Sequence, residues 1–179
     1  SFGNPSKGPK YCQKDMKRFF IGRGKEDYVI VAPDVGAAKR AMHLAQKLEM
    51  SDVIMSKKRD YSKPNTVAST TLVGNVEGKR AIIYDDMADT GGTLESAAKT
   101  LLDHGAIDVI AIVTHGVLSG QAISRLNNPN SAVSELICTN TLPQVENVQL
   151  SSKVTVIDIS ELFAGAIKEL ITNGSISSL

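Results

Sequence analysis

The chain has no tryptophan, 4% aromatic residues, two cysteines and a formal net charge of +1 over 179 residues. Each shortage excludes something. So few aromatic side chains leave an aliphatic core. A net charge this close to zero gives no electrostatic ground for a nucleic-acid or membrane partner. Cys12 and Cys138 lie far apart without metal-ligand spacing, so neither a disulfide framework nor a zinc module is indicated. Two reduced thiols in a cytosolic protein is the simplest reading. No apolar run is long enough to span a bilayer, and Ser1-Phe2-Gly3-Asn4-Pro5 lacks the apolar core of a secretory signal. No internal repeat or low-complexity tract occurs.

What is present points to an α/β domain. The length suffices for one domain with a real core. Short Val/Ile runs alternate with Ala/Leu segments of helical spacing. Residues 1–26 read as a polar, basic lead-in, with a helix in Tyr11–Phe20 whose Met16, Phe19 and Phe20 would need a surface to dock on. The domain proper is read as 27–179.

One stretch organises the rest. Arg80–Tyr84 is an isoleucine-rich run that predicts a buried strand. Asp85 and Asp86 follow where a parallel strand would end. Asp89-Thr90-Gly91-Gly92 is a tight turn, and Thr93 opens a helix. Glycines let the backbone turn sharply and bring its N–H groups near a phosphate. The helix start adds free N–H groups and a positive dipole end. Thr90 and Thr93 can donate hydroxyls. Two carboxylates beside a phosphate would repel it unless they accept hydrogen bonds from sugar hydroxyls, directly or through a divalent cation. The ligand implied is a sugar phosphate, and ribose 5-phosphate fits. Neither a Walker A loop nor a Gly-x-Gly-x-x-Gly turn matches. A polar turn with a helix cap is the plain alternative.

Elsewhere the sequence predicts strands at Tyr28–Ala32, Asp52–Met55, Thr66–Val73, Asp108–Val113, Glu135–Cys138 and Val154–Asp158. Asp34 falls between a strand and a helix, where open α/β sheets place ligands; position alone favours a helix cap. Lys57-Lys58-Arg59 opens a polar loop closed by Pro64-Asn65, by default a solvated hairpin tip. Its charge would suit a polyphosphate transition state. Leu94, Ala97, Ala98, Leu101 and Leu102 form one helix face, with Gly105 a C′ cap beyond His104. Ser160 is expected to cap a last helix bearing Leu162, Phe163, Ala166, Ile167, Leu170 and Ile171 on one face.

Asp85-Asp86-Met87-Ala88-Asp89-Thr90-Gly91-Gly92-Thr93 closely resembles the PRPP-binding motif of type I phosphoribosyltransferases, in the wording of the ribose-phosphate pyrophosphokinases (PRPP synthetases). Ala32-Pro33-Asp34-Val35-Gly36-Ala37-Ala38-Lys39-Arg40 is similar to that family's Ser-Pro-Asp-x-Gly-Gly-x-Lys-Arg segment, and Lys57-Lys58-Arg59 to its Lys-Arg-Arg loop. Thr114-His115 with Ser119-Gly120, Thr139–Pro143 (Asn140 where the family has Asp) and the Asn173–Leu179 tail also match. The likeness runs from about Tyr11 to Leu179 and covers only the family's carboxyl half.

The resemblance implies a phosphoribosyltransferase-like fold: a mostly parallel sheet flanked by helices, with a flexible hairpin loop. It implies diphosphoryl transfer from ATP to ribose 5-phosphate, giving PRPP for nucleotide biosynthesis and AMP. Lys57 and Arg59 would be catalytic. Asp85, Asp86, Asp89, Thr90, Gly91, Gly92 and Thr93 would hold ribose 5-phosphate, and Asp34 would take part in binding Mg²⁺. It further implies a cytoplasmic homo-oligomer that needs an amino-terminal PRPP synthetase domain, for whose metal-binding His no counterpart occurs. Two alternatives stand beside it: a phosphoribosyltransferase that consumes PRPP, and a non-catalytic regulatory subunit, to which the changes at Ala37, Lys58 and Asn140 lend support.

Overall fold

The computed structural model describes residues 24–58 and 69–174. The lead-in, Arg59, Pro64-Asn65, Cys12 and the end of the tail lie outside the described residues. A single seven-stranded sheet runs through the domain in the order β3-β2-β1-β4-β5-β6-β7. The strands are β1 (Tyr28–Ala32), β2 (Ser51–Lys58), β3 (Ser69–Val73), β4 (Arg80–Ala88), β5 (Asp108–Gly116), β6 (Glu135–Thr139) and β7 (Val154–Ile157). Among the described residues only the β2–β3 pair is antiparallel. The helices are α1 (Ala38–Leu48), α2 (Gly92–Asp103), α3 (Ala122–Leu126), α4 (Val145–Leu150) and α5 (Ser160–Ile171). The mostly parallel α/β architecture is the one expected.

The central strands are apolar on both faces because both faces are covered. Every residue of β1 is buried. Its odd and even positions feed two different cores. Val29 and Val31 join Ile83, Ala98 and Leu101 on the α2 side. Ile30 and Ala32 join Ile82, Ala41, Ala45 and Leu48 on the α1 side. Helix α2 ends as its sequence predicts. Gly105 has φ +91°, and the Ala106 N–H reaches the Leu101 carbonyl at 3.0 Å while the Gly105 N–H reaches that of Leu102 at 2.9 Å. His104 Nδ1 lies 2.8 Å from the Thr100 carbonyl, so it finishes the helix end.

Two strands are longer than the sequence suggests. β4 runs on through Asp85 and Asp86 to Ala88. β1 pairs with it only as far as Ile83, whereas β5 pairs with it to the end, Ala88 opposite Gly116. The acidic pair is therefore held in strand geometry by β5 on one side and open on the side where β1 has ended. β2 likewise continues past Ile54, its last residue paired with β1 (opposite Ala32), and pairs with β3 as a hairpin stem through Lys58. Strand order reverses between β1 and β4, and the crevice beyond their carboxyl ends is the usual ligand position in open α/β sheets.

Candidate functional site

Three elements meet at this crevice. The first follows β1. The Asp34 carboxylate accepts the Ala37 N–H at 2.9 Å and closes the turn leading into α1. The helix itself begins after Ala37 with no side-chain cap, so Asp34 closes the turn in place of the N-cap expected from position, and it stays exposed at the crevice. Ala32 and Ala37 pack into the apolar cluster beneath it.

The second element is the end of β4. Asp85 is mostly buried, its side chain 19% exposed, while that of Asp86 is 53% exposed. Its Oδ1 accepts the Asp86 N–H at 2.9 Å, which fixes the carboxylate. Arg40, in the first turn of α1, lies 3.5 Å from Asp85 and 3.7 Å from Asp86. Sequence reasoning named Arg40 only as the end of a matched segment and gave it no role. Its signal was a basic group one turn beyond an acidic turn. The guanidinium is half exposed, so solvent screens its attraction. Burial wins and raises the Asp85 pKa above the ordinary carboxylate range; the Asp86 N–H opposes this, and the charges of Asp86 and Asp34 add to it.

A carboxyl that ionises less readily when folded binds more protons in the folded state. Stability therefore falls as pH climbs from the ordinary value through the raised one. Asp85→Asn is expected to melt at a higher temperature than the wild type at neutral pH. The gap should close below the ordinary carboxylate value of about 3.9. Thermal melts at stepped pH check this, and equal melting at neutral pH would contradict it.

The third element is the turn into α2. Gly91 takes φ +76°, a conformation that favours glycine, and no side chain caps the helix. The Glu95 N–H bonds to the Gly91 carbonyl at 3.0 Å, so the N–H groups of Gly92, Thr93 and Leu94 precede the first intrahelical bond. Asp89, Thr90 and Thr93 are exposed around them. Asp89 accepts a very short hydrogen bond from the Ser119 hydroxyl, and the Leu118 N–H reaches the Ala88 carbonyl at 3.0 Å. Leu118 holds φ +49° for this, with its side chain buried in the core. The loop after β5 thereby braces the Gly-rich turn. Pairing Ser119 with Asp89 required the fold.

Behind this loop, His115 Nδ1 lies 3.0 Å from Thr141 Oγ1 and the Thr139 hydroxyl donates to the Thr114 carbonyl at 2.8 Å. Buried Gln144 donates to the Gly116 carbonyl at 2.6 Å. Asn140 replaces the family's acid by bonding one: its amide reaches Asp158 at 2.7 Å. The Ser160 hydroxyl and N–H, with that amide, hold Asp158 below the usual carboxylate range. Ser160 begins α5 and does not cap it; its hydroxyl serves Asp158 at 2.5 Å. Burial pushes the Cys138 thiol up to about 11, so it stays protonated and inert.

A Cβ on Gly116 would fall 2.9 Å from Cys138 Sγ and 3.1 Å from Gln144 Nε2. Gly116→Ala is accordingly expected to cost about 1–3 kcal/mol through overpacking. Denaturant unfolding measures it, and an unchanged midpoint would show that the loop gives way freely.

The hairpin stem carries Lys57 opposite Thr70, beyond the end of β1. Arg59 lies outside the described residues. The structure thus brings Asp85 and Asp86 to Arg40, with Asp34 near enough for its charge to act on Asp85, sets the α2 turn at the end of β4, and puts the Lys57 backbone on the β2–β3 hairpin. Among the described residues no three His, Cys, Asp or Glu side chains converge to hold a metal by themselves. The Asp34 and Asp85 carboxylates nevertheless feel each other. Hard oxygens of this kind suit Mg²⁺, which takes one or two carboxylates, keeps water and draws further ligands from a phosphate chain. No helix among the described residues is long and apolar enough to cross a membrane.

Residues 53–179 match the family model described as phosphoribosyl synthetase-associated domain. The chain is 48% identical over 153 residues to ribose-phosphate pyrophosphokinase 3 of Saccharomyces cerevisiae, covering 86% of this chain and 47% of that protein. It is 42% identical over 164 residues to the ribose-phosphate pyrophosphokinase of Halalkalibacterium halodurans, covering 92% and 50%. A crystal structure of phosphoribosylpyrophosphate synthetase from Mycobacterium smegmatis superposes with a TM-score of 0.76 at 36% identity, over 90% of this chain and 51% of that one. The chain spans about half the length of the curated relatives it matches. With the family model covering most of its length, the chain belongs to the ribose-phosphate pyrophosphokinase (PRPP synthetase) family.

Proposed function

We propose that this chain carries the ribose 5-phosphate site and the catalytic loop of a ribose-phosphate diphosphokinase. The observation that supports this best is the end of β4, where an acidic pair, open on the β1 side, leads directly into an uncapped helix start. Gly91, Gly92, Thr90 and Thr93 bind the 5-phosphate through N–H and hydroxyl donors. Asp85 and Asp86 accept the ribose hydroxyls, displacing Arg40, and Asp89 is steadied by Ser119. The anomeric hydroxyl attacks the β-phosphorus of ATP, the bond from that phosphorus to the α-phosphate oxygen breaks, and AMP leaves. Lys57 and Arg59 neutralise charge on the diphosphoryl group in flight. Asp34 would hold Mg²⁺, which supplies further charge neutralisation on the phosphate chain.

Residues 27–179 are on this reading the carboxyl-terminal phosphoribosyltransferase-like domain of a cytoplasmic homo-oligomer, preceded by a docking segment at 1–26. An amino-terminal PRPP synthetase domain completes the ATP site. AMP release from Mg-ATP and ribose 5-phosphate, with the chain alone and with full-length yeast relative added, tests the proposal. Ribose 5-phosphate binding, with turnover at least in the assembled protein, is expected. No binding and no turnover in either would sink it.

A further inference from the structure

Helix α2 starts beside a side chain well suited to cap it and does not use it. Asp89 and Thr90 directly precede Gly91, which stands at the N-cap position, and no side chain among the described residues bonds to the free N–H groups there. An Asp side chain readily bonds the N–H two residues on. A carboxylate at a helix start is also drawn in by the positive dipole end. Asp89 is exposed and could follow both pulls. Instead it accepts the Ser119 hydroxyl, from the loop after β5.

Ser119 is not free to follow Asp89. The residue before it, Leu118, is buried at φ +49° and donates its N–H to the Ala88 carbonyl at 3.0 Å. The Ser119 carbonyl accepts the Ala122 N–H at 3.1 Å. Ala122 lies against the Gly-rich turn: a Cβ on Gly91 would fall 3.6 Å from its Cα. The serine is thus a fixed donor, and the carboxylate on the turn is the group that moves to meet it.

We propose that Ser119 is a positioning residue: its hydroxyl draws the Asp89 carboxylate toward the loop after β5 and keeps the N–H groups of Gly91, Gly92 and Thr93 free of the chain's own acid. The inference rests on reading that turn as the seat of the 5-phosphate, and it adds what keeps the seat's donors available. Released from Ser119, Asp89 caps α2 itself. A phosphate then meets donors already in use and a negative charge beside them. Thr90 is no equal rival, since its hydroxyl is uncharged and can also donate to a phosphate. Loss of the Ser119 hydroxyl therefore gives the helix a cap and takes affinity from the site, an exchange of function for stability.

The test compares the wild type, Ser119→Ala, Ser119→Thr and the double variant Ser119→Ala with Asp89→Ala. Calorimetric titration measures ribose 5-phosphate binding, and NMR measures exchange of the Gly91, Gly92 and Thr93 amides with water. Ser119→Ala is expected to bind roughly five- to tenfold more weakly, with these amides exchanging about fivefold more slowly, the ratio that an N-cap side chain contributes. The double variant should move both quantities back toward the wild type, and Ser119→Thr, which keeps the hydroxyl, should match it. A double variant that binds no better than Ser119→Ala overturns the proposal, because a second truncation cannot repair a lost brace. Unchanged amide exchange in Ser119→Ala overturns it too. The amides report without any ligand. If the wild type binds no ribose 5-phosphate, the proposed function fails, while slowed exchange in Ser119→Ala, reversed in the double variant, still upholds the role of Ser119.

Discussion

Replacing Asp85 with alanine is expected to weaken ribose 5-phosphate binding by about 30- to 1000-fold. Charge-assisted hydrogen bonds to two sugar hydroxyls account for about 2–4 kcal/mol, and each 1.4 kcal/mol is roughly tenfold in Kd. The effect is large because Asp85 is fixed before the ligand arrives, by the Asp86 N–H and by β4–β5 pairing. Lys57→Ala should behave oppositely. It should leave Kd within about threefold and lower the rate roughly 100-fold or more, as loss of a donor aimed at transition-state charge does. Calorimetric titration with ribose 5-phosphate and single-turnover AMP release separate the two. Similar binding losses in both variants would show the roles to be wrongly assigned. The same carboxylate lowers stability at neutral pH, since burial opposes its ionisation. Asp85→Asn should therefore gain stability as it loses ligand, a common exchange at functional sites.

Ile83→Ala is expected to cost about 2–5 kcal/mol, the range for emptying a buried aliphatic site. For a domain of this size the melting temperature should drop by roughly 4–20 °C. Ile83 is fully buried, pairs with Val31 of β1 and Ala111 of β5, and sits in the larger of the two cores. It is also the last β4 residue paired with β1 before the acidic pair. The loss should thus loosen Asp85 as well as the core, and ribose 5-phosphate affinity should fall alongside stability. Differential scanning calorimetry with the same titration checks both. A normal melting temperature would mean that the sheet closes over the cavity.

Much of the site was legible in residues 80–94, because a strand, a glycine turn and a helix start are determined by near neighbours. The apolar run, the glycine turn and the α2 face from Leu94 to Leu101 with Gly105 at its end emerged as read, while Leu102, read on the same face, is exposed. Strand ends were less legible. Asp85 and Asp86 read as a loop because carboxylates disfavour strands. They lie within β4 because β5 pairs with that strand for its full length. Helix α4 left no clear pattern: it is six residues long and buries none of them.

By itself the sequence determined the local order of a strand, two carboxylates, a glycine turn and a helix start, since those groups are contiguous along the chain. It also determined the family, since those contiguous groups are what the motif consists of. Tertiary structure decided what faces them. Arg40 reaches Asp85 from 45 positions away, and Ser119 braces Asp89 from 30. Strand order puts β1 and β5 on either side of β4, and no local pattern encodes which neighbour runs longer. The apolar face of α5 followed the same rule. Its stripe was plain in the sequence, but only packing reveals that this chain's described residues do not cover it.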